Sequence, residues 1–430
     1  MFLGCRVASL RNQYNISQKE LAKGIISISH LSNFENNRYV MSEETLILLA
    51  KGLNVNTSYL TKSKYIDDDI QNKLNIVAQN LLINSEKSIN IISEIIPPIN
   101  SIELEITYYL LKGCLDFITN NHTCLDEVYN SHIIYFEKIL KKNFDELPYI
   151  VQFSSLCFFA FMDRKKNNLE NSNKRLKKLL SLTLNKTDKP FILMCIAKNE
   201  YQQNRYIEAL NYAYQSRNLA GETADFTVIG QIFNFIGVIN LRVFQIKESL
   251  FNFTEALKIS NILQNKKLKN VVLHNQGILY IELGDINLAI NTFKKIDVDD
   301  PDINDVDRFL TIISLIKCYL KIYDIKKAEH LINKLNPYLL NEKQYFFLES
   351  QKANINLCNH NESVYIEKKS KCLDFFIMNN FIEEACKIAN ELGDFYFERR
   401  QYKKSSIYFK KRINLIEMGH KENLSYLNIL

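Results

Sequence analysis

Apolar residues recur along most of this chain at the spacing of one face of an α-helix. The clearest segment is 273–301, LHNQGILYIELGDINLAINTFKKIDVDDP. Gly277 gives a second helix room to approach, and Gly284 ends the first helix. Phe293 is placed to fill the space toward the next unit, and Pro301 to close the second helix. The segment therefore predicts two antiparallel helices joined by a tight turn.

The same offsets return about every 40 residues, which indicates a repeat. The packing position of the first helix holds Ala197, Gly237, Gly277, Ile316, Ala353 and Gly393. The small position of the second helix holds Ala209, Ser249, Ala289, Ala328 and Ser405. The space-filling position holds Ala213, Phe253, Phe293, Ile332 and Phe409. These offsets are typical of tetratricopeptide repeats, whose period is about 34 residues. The longer period predicts that each helix is extended by about one turn.

Upstream of residue 190 the repeat offsets fade, although amphipathic helical segments continue from Pro97-Pro98 onward. We predict that residues 74–430 form one array of about eight or nine helix pairs. Since each pair packs on its neighbour with a similar rotation, the array should be a right-handed superhelix. Its concave wall should come mainly from the first helix of each pair. Low glycine and proline content, 11 and 6 residues, also favours an all-α fold.

Residues 1–60 have a different pattern, with five short amphipathic segments. Ser17 and Glu20 form a capping box that starts the second helix, and Gly24 permits a tight exit. The third helix should bury Ile28, Leu31 and Phe34 on one face. The pattern SQKELAKGI, SHLSNFENN and SEETLILLAKGLNVN closely resembles the helix-turn-helix domains of phage-repressor type. We therefore predict a five-helix DNA-binding domain over residues 1–60.

In that domain type the third helix lies in the major groove with its N-terminal side chains at base edges. The candidates for base or phosphate contacts are Ser27, Ser29, His30, Ser32 and Asn33. The candidates for backbone contacts are Lys19, Lys23 and Arg38. Six basic against four acidic residues give this segment weak non-specific affinity for DNA, so we expect a homodimer or higher homo-oligomer. The alternative is a structural helical cap on the array, with these polar residues merely solvated.

The polar segment 61–73, TKSKYIDDDIQNK, is interpreted as a linker, and Asp67–Asp69 as the acidic start of a helix rather than a metal site. Nine cysteines are scattered singly without a CxxC, which favours reduced thiols over disulfides or zinc ligands. The chain has no uncharged apolar run of 18 residues and no secretory core at its N-terminus. We expect a cytoplasmic protein that neither spans a membrane nor carries a metal or cofactor.

No catalytic motif stands out, because the seven histidines form no HExxH and the single glycines form no phosphate-binding loop. We therefore predict that the protein is not an enzyme. An extended peptide needs its backbone amides satisfied, and asparagine or glutamine offers a donor and an acceptor together. Such side chains and neighbouring cations, which can hold a carboxylate, fall on the predicted concave wall. The candidates for peptide binding are Lys198, Tyr201, Gln231, Asn234, Arg242, His274, Asn275 and Lys317. For each of them, the alternative is an ordinary solvated side chain.

A repressor-type domain followed by long tetratricopeptide repeats resembles the RRNPP family of peptide-pheromone receptors. GIISISHLSNFENN and the chain length are most similar to its NprR branch, with PlcR, Rgg and Rap proteins as relatives. The resemblance implies a transcription regulator that binds a double-stranded operator and is controlled by a short signalling peptide in the concave groove. In the NprR branch it also implies a response regulator as a partner of the peptide-free form. The alternative is a Rap-like protein-interaction module with little or no DNA binding.

Overall fold

A computed structural model describes residues 3–64, 66–82, 85–119, 122–142, 144–183, 186–223, 225–301, 303–335 and 341–419. All regular structure in these ranges is helical, and the predicted all-α class is confirmed. The first helices are α1 (Leu3–Gln13), α2 (Gln18–Ala22), α3 (Ile28–Glu35), α4 (Glu43–Gly52), α5 (Ser58–Thr61), α6 (Asp68–Asn80), α7 (Ser85–Ser93), α8 (Ile102–Ile118), α9 (His122–Val128), α10 (Glu137–Lys142), α11 (Tyr149–Lys165) and α12 (Leu169–Leu182). A π-helical segment, Tyr129–Ile133, follows α9, and a 3₁₀ turn, Phe144–Glu146, follows α10.

The remaining helices are α13 (Lys189–Gln202), α14 (Tyr206–Thr223), α15 (Phe226–Arg242), α16 (Ile246–Ile262), α17 (Lys266–Glu282), α18 (Ile286–Phe293), α19 (Asp305–Lys321), α20 (Ile325–Lys334), α21 (Glu342–Cys358), α22 (Glu362–Met378), α23 (Ile382–Glu398) and α24 (Tyr402–Gly419). The chain divides into two compact units, Met1–Asn199 and Glu200–Leu430, which we describe separately. No helix in the described part of the chain is long and apolar enough to cross a membrane.

The five helices expected in residues 1–60 are present as α1–α5, packed around a shared apolar core. The predicted capping box forms, because Ser17 Oγ accepts from Glu20 N at 3.2 Å and Glu20 Oε2 accepts from Ser17 N at 2.7 Å. Gly24 has a φ of +75°, the left-handed conformation that the exit from α2 requires. Sequence pattern and local structure therefore agree in this domain.

The segment interpreted as a linker contains the start of α6. Asp67 is its N-cap, and Asp67 Oδ1 accepts from the backbone N–H groups of Asp69 and Ile70. The acidic run is thus the start of a helix, as expected. The domain boundaries 1–60, 61–73 and 74–430 remain predictions.

The repeat register read from the sequence reappears in the turns of the helix pairs α13/α14 to α23/α24. In each pair one residue with φ between +57° and +80° separates the two helices. These residues are Asn204, Phe244, Gly284, Tyr323, His360 and Arg400, at intervals of 40, 40, 39, 37 and 40. The predicted packing positions have the same intervals. The register of all six pairs was therefore predictable from the spacing of the packing positions.

Close helix approach explains the glycines of this register. A Cβ at Gly277 would lie 2.5 Å from the Phe293 ring, so the ring occupies the space that a side chain would need. The same contact, at 2.6 Å, joins Gly237 to Phe253 and Gly393 to Phe409. Phe293 thus fills its own pair, and it also belongs to the core cluster shared with the next pair.

Two expectations for these helix pairs are wrong: that Pro301 closes the second helix of its pair, and that every helix is extended by about one turn. The helix α18 ends at Phe293, well before Pro301, and α20 has only 10 residues. The acidic run 297–302 explains the early end of α18, because carboxylates are unfavourable at the negative end of the helix dipole. Arg308 holds the following loop by donating to the carbonyl oxygens of Val298 and Asp300 at 3.0 and 3.2 Å.

Candidate DNA-binding and peptide-binding sites

The third helix presents the polar residues that the sequence singled out for DNA contacts. Ser27, Ser29 and Asn33 are exposed, whereas His30 and Ser32 are half-buried. Ser27 is the N-cap, and its Oγ accepts from His30 N at 3.2 Å. The His30 ring lies 4.2 Å from that of Tyr39. Ser29 Oγ lies 3.1 Å from Ser27 Oγ, so Asn33 is the exposed side chain of this group with no side-chain hydrogen bond to a described residue.

Ile28 does not join the core as expected. Leu31 and Phe34 are buried, but Ile28 is 47% exposed at the first position of α3. Ile28 directly follows the N-cap Ser27, and the buried residues of α3 begin only at Leu31. An exposed isoleucine beside Ser29 can contact a thymine methyl group, so it joins the candidate DNA-binding residues. Nothing in the helical periodicity favours this role over packing.

The basic residues of residues 1–60 divide into an internal and an exposed group. Arg11 pairs with Glu35 at 2.7 and 3.0 Å and ties α1 to α3, while Arg6 is 1% exposed. The exposed cations are Lys19, Lys23, Arg38 and Lys51, against the exposed carboxylates Glu20, Glu43 and Glu44. The surface charge available for DNA is therefore smaller than the sequence count indicates.

In the second unit, α15 and α17 bring two of the predicted peptide-binding residues into contact. Asn275 Nδ2 donates to Asn234 Oδ1 at 3.0 Å. Both side chains are buried, and Asn275 Oδ1 accepts no hydrogen bond from the described residues. An unused buried amide oxygen is costly unless a ligand or solvent satisfies it. Asn275 Oδ1 is therefore an unused, buried acceptor where α15 and α17 meet.

His274 and Gln231 flank this asparagine pair along α17 and α15. His274 is 8% exposed, and its ring lies 5.5 Å from that of Phe293, so it takes part in the packing of this helix pair. Burial, and then the charge of Lys317, lower the pKa of His274 to about 4. It is neutral at physiological pH. Gln231 is half-buried on α15, one turn before Asn234.

Arg242 and Tyr201 form a second contact among the predicted residues. Arg242 Nε donates to Tyr201 Oη at 3.0 Å, and Tyr201 is buried. Arg242 also faces Glu383 of α23, with 3.8 Å between Nη2 and Oε1. The tyrosine therefore orients the guanidinium, while the carboxylate pairs with it only loosely.

The two predicted lysines lie in positively charged surroundings, one in each unit. Burial and then Arg164 lower the pKa of Lys198 to about 8 in the first unit. In the second unit, desolvation by the surrounding protein and then the charge of Lys387 lower the pKa of Lys317. Part of the Lys317 residue is nevertheless exposed to solvent. Arg164 and Lys387 are therefore charges of the same sign that act on these two lysines.

Lys317 interacts electrostatically with charged residues that were not predicted from the sequence. The buried Lys369 donates from Nζ to Ser350 Oγ at 2.8 Å and pairs with Glu391 of α23. It lies 37 residues after Ile332, at the space-filling position of its pair, so the register could have identified it. The repeat register does not single out the charged residues of α23, which are Glu383, Lys387 and Glu391.

Residues 7–60 match a helix-turn-helix family. Over 406 residues the chain is 23% identical to the transcriptional activator NprA of Geobacillus stearothermophilus, which covers 91% of this chain and 97% of NprA. A Rap protein complexed with competence and sporulation factor has a TM-score of 0.61 at 14% identity, covering 82% of this chain and 98% of that chain. NprR in complex with its cognate peptide NprX has a TM-score of 0.54 at 15% identity, covering 82% and 99%.

The capped helix-turn-helix domain and the six helix pairs in register define the class of proteins that join such a domain to a tetratricopeptide-type array. Within this class, the chain is similar to NprA over nearly the whole of both chains and shares the fold of NprR. The chain is thus similar to the RRNPP family and, within it, to the NprR branch. The resemblance inferred from the sequence is confirmed.

Proposed function

We propose that this protein is a DNA-binding transcription regulator controlled by a short signalling peptide held by the helix pairs of the second unit. The observation that carries the peptide part is the buried Asn234–Asn275 pair with its unused amide oxygen. The relatives support it, since NprA is a transcriptional activator and NprR binds its cognate peptide NprX. Such a regulator acts in the cytoplasm, carries no catalytic centre and needs no cofactor.

For DNA binding, α3 enters the major groove. The Asn33 amide can pair with an adenine edge, Ser29 with either kind of base edge, and Ile28 with a thymine methyl group. Lys19, Lys23 and Arg38 contact phosphates. Few cations are exposed on this domain, so one copy binds DNA weakly and two copies in a homodimer read two half-sites.

For peptide binding, the asparagine pair serves an extended backbone. Asn275 Oδ1 accepts from a peptide N–H, and Asn234 keeps an amide donor for a peptide carbonyl. Bound peptide favours one arrangement of the helix pairs that is already populated without it. A coupling of about 1–3 kcal/mol is enough to change DNA affinity 5- to 150-fold.

The experiment for the peptide part starts from a pool of synthetic heptapeptides of mixed sequence. Wild-type protein retains a subset of the pool, which is identified by mass spectrometry and titrated by calorimetry. Asn275→Ala and Asn234→Ala should each weaken binding by about 1–3 kcal/mol, because a buried polar partner is left unpaired. Asn261→Ala, on the exposed face of α16, is the matched control and should change nothing. Unchanged affinity in both test variants would reject this peptide site.

The second candidate function is a Rap-like interaction module that binds a response regulator and has little DNA affinity. The low surface charge of residues 1–60 favours it, and the fold agrees with that of a Rap protein. A gel-shift experiment with the gene's own promoter separates the two functions. Complete absence of a shift at low salt, with and without retained peptide, would favour the interaction module.

A further inference from the structure

A cavity of about 620 Å³ in the second unit brings together helix pairs that are not neighbours along the chain. One side comes from the α13–α14 turn and from Arg242 at the end of α15. The other side comes from α23, with Glu383, Lys387 and Glu391, and from Arg412 of α24. In a repeat array each pair packs mainly on its neighbours, so the α15–α23 contact is additional to normal repeat packing.

The ion pairing across this cavity is poor. Glu383 Oε1 lies 3.8 Å from Arg242 Nη2 and 3.6 Å from Lys387 Nζ, well beyond the 2.7–2.9 Å of a close charged hydrogen bond. Glu383 Oε2 is buried and has no hydrogen-bond partner among the described residues. Burial raises the pKa of Glu383, which agrees with a carboxylate that its partners stabilise incompletely.

Arg242 is oriented by Tyr201 but has no close carboxylate partner among the described residues. Its Nε donates to Tyr201 Oη at 3.0 Å, which fixes the plane of the guanidinium. Neither Nη1 nor Nη2 donates a hydrogen bond to any described residue. A guanidinium with two free N–H groups on one edge matches a carboxylate in the bidentate geometry that makes such pairs strong.

The charge balance around the cavity also favours an anion. Arg242, Lys387 and Arg412 line it, and Lys317 and Lys369 interact electrostatically with α23 beside it. The carboxylates among these groups are Glu383 and Glu391, and Glu391 is already paired with Lys369. In the part of the chain that the structure describes, Lys317 and Arg412 form no ion pair. The region therefore carries uncompensated positive charge.

We propose that this cavity binds a carboxylate of the signalling peptide, which replaces Glu383 as the partner of Arg242. The inference rests on the proposed function and names the chemical class of its ligand, an acidic peptide. The carboxylate belongs to an aspartate or glutamate side chain or to the peptide C-terminus. Tyr201 is a positioning residue, because it orients Arg242 and lies buried behind it. Displaced Glu383 keeps Lys387 as its partner.

The test uses the full-length protein and four heptapeptide pools that differ only in their carboxylates. One position holds either Asp and Glu or Asn and Gln, and the C-terminus is either free or amidated. Wild-type protein should retain carboxylate-bearing pools at least about tenfold more tightly than the pool with none. Comparison of the two singly acidic pools identifies the side chain or the C-terminus as the source.

Two variants distinguish a binding role from a structural one. Arg242→Met should remove the preference for carboxylates while the neutral pool still binds. Glu383→Gln should strengthen binding of the acidic pools, because it removes the competing carboxylate, a gain that mere loss of structure cannot give. Glu367→Gln, an exposed carboxylate of α22 paired with Lys371, is the control and should change nothing.

The outcomes separate this inference from the proposed function. Equal retention of acidic and neutral pools by wild-type protein, or no gain in Glu383→Gln, overturns the carboxylate subsite and leaves the peptide groove intact. No retention of any pool overturns the proposed peptide regulation and the subsite with it.

Discussion

Arg6 of α1 donates through Nε to Glu105 Oε2 of α8 at 3.0 Å, in a contact buried from solvent. The rest of the guanidinium is also used. Nη1 donates to the carbonyl oxygens of Tyr59 and Asn100 at 2.6 Å, and Nη2 donates to that of Ile99 at 3.1 Å. The helix-turn-helix domain is thus joined to α8 by a buried side chain that donates to four acceptors.

Arg6→Met should therefore be strongly destabilising. It leaves the buried Glu105 without its cationic partner, with only the Tyr59 hydroxyl still donating to it, which costs about 3–5 kcal/mol of unfolding free energy. Urea unfolding measures the loss, and hydrogen exchange should locate it in α1 and α8. Lys371→Met, which breaks an exposed ion pair, is the control and should show no measurable change. An Arg6→Met protein with wild-type stability would show that the contact does not hold these helices together.

Gly277 and Gly221 test the packing of the repeats. Gly277→Ala should cost about 1–3 kcal/mol, because the new Cβ overlaps the Phe293 ring at 2.5 Å. Gly221→Ala, in α14 with no atom within 4 Å, should be neutral or stabilise by up to about 1 kcal/mol. Thermal unfolding of both variants measures the difference. Adding Phe293→Leu to Gly277→Ala should recover part of the loss, and additive effects would argue against direct contact.

Asn33 and Lys23 separate base contacts from phosphate contacts. Asn33→Ala should weaken binding to the operator by about 1–3 kcal/mol and hardly affect unrelated DNA. Lys23→Met should weaken both equally and reduce the slope of log affinity against log salt by about one. Fluorescence anisotropy with two DNA duplexes at several salt concentrations measures both effects. If Asn33→Ala weakened both duplexes equally, its proposed role in reading bases would be wrong.

His132 gives a prediction for pH. Its ring stacks on Tyr109 at 3.6 Å, and burial and then Lys112 lower its pKa to about 4, from an ordinary value of 6.5. The unfolded chain therefore takes up this proton first as the pH falls. The contribution of neutral His132 to stability is complete above pH 6.5 and is lost progressively toward pH 4. His132→Phe should flatten this part of the stability profile, whereas the exposed His330→Phe should not.

The fold was predictable where local chemistry determines it. Capping residues such as Ser17 and small residues such as Gly277 act on their own helix or on the adjacent one, so their spacing shows in the sequence. The contacts of Arg6 with Glu105 and of Arg242 with Glu383 join distant parts of the chain and leave no such spacing. Ile28 was misplaced because helical periodicity gives a face and not the depth at which that face meets the core.

The central claim is that bound peptide changes the DNA affinity of α3, and one titration tests it directly. Full-length protein is added to a labelled duplex from the gene's own promoter, with and without the peptides that wild-type protein retains. We predict binding that Asn33→Ala weakens and that bound peptide changes about 5- to 150-fold. Identical binding curves with and without bound peptide, or no binding to the duplex at low salt, would contradict it.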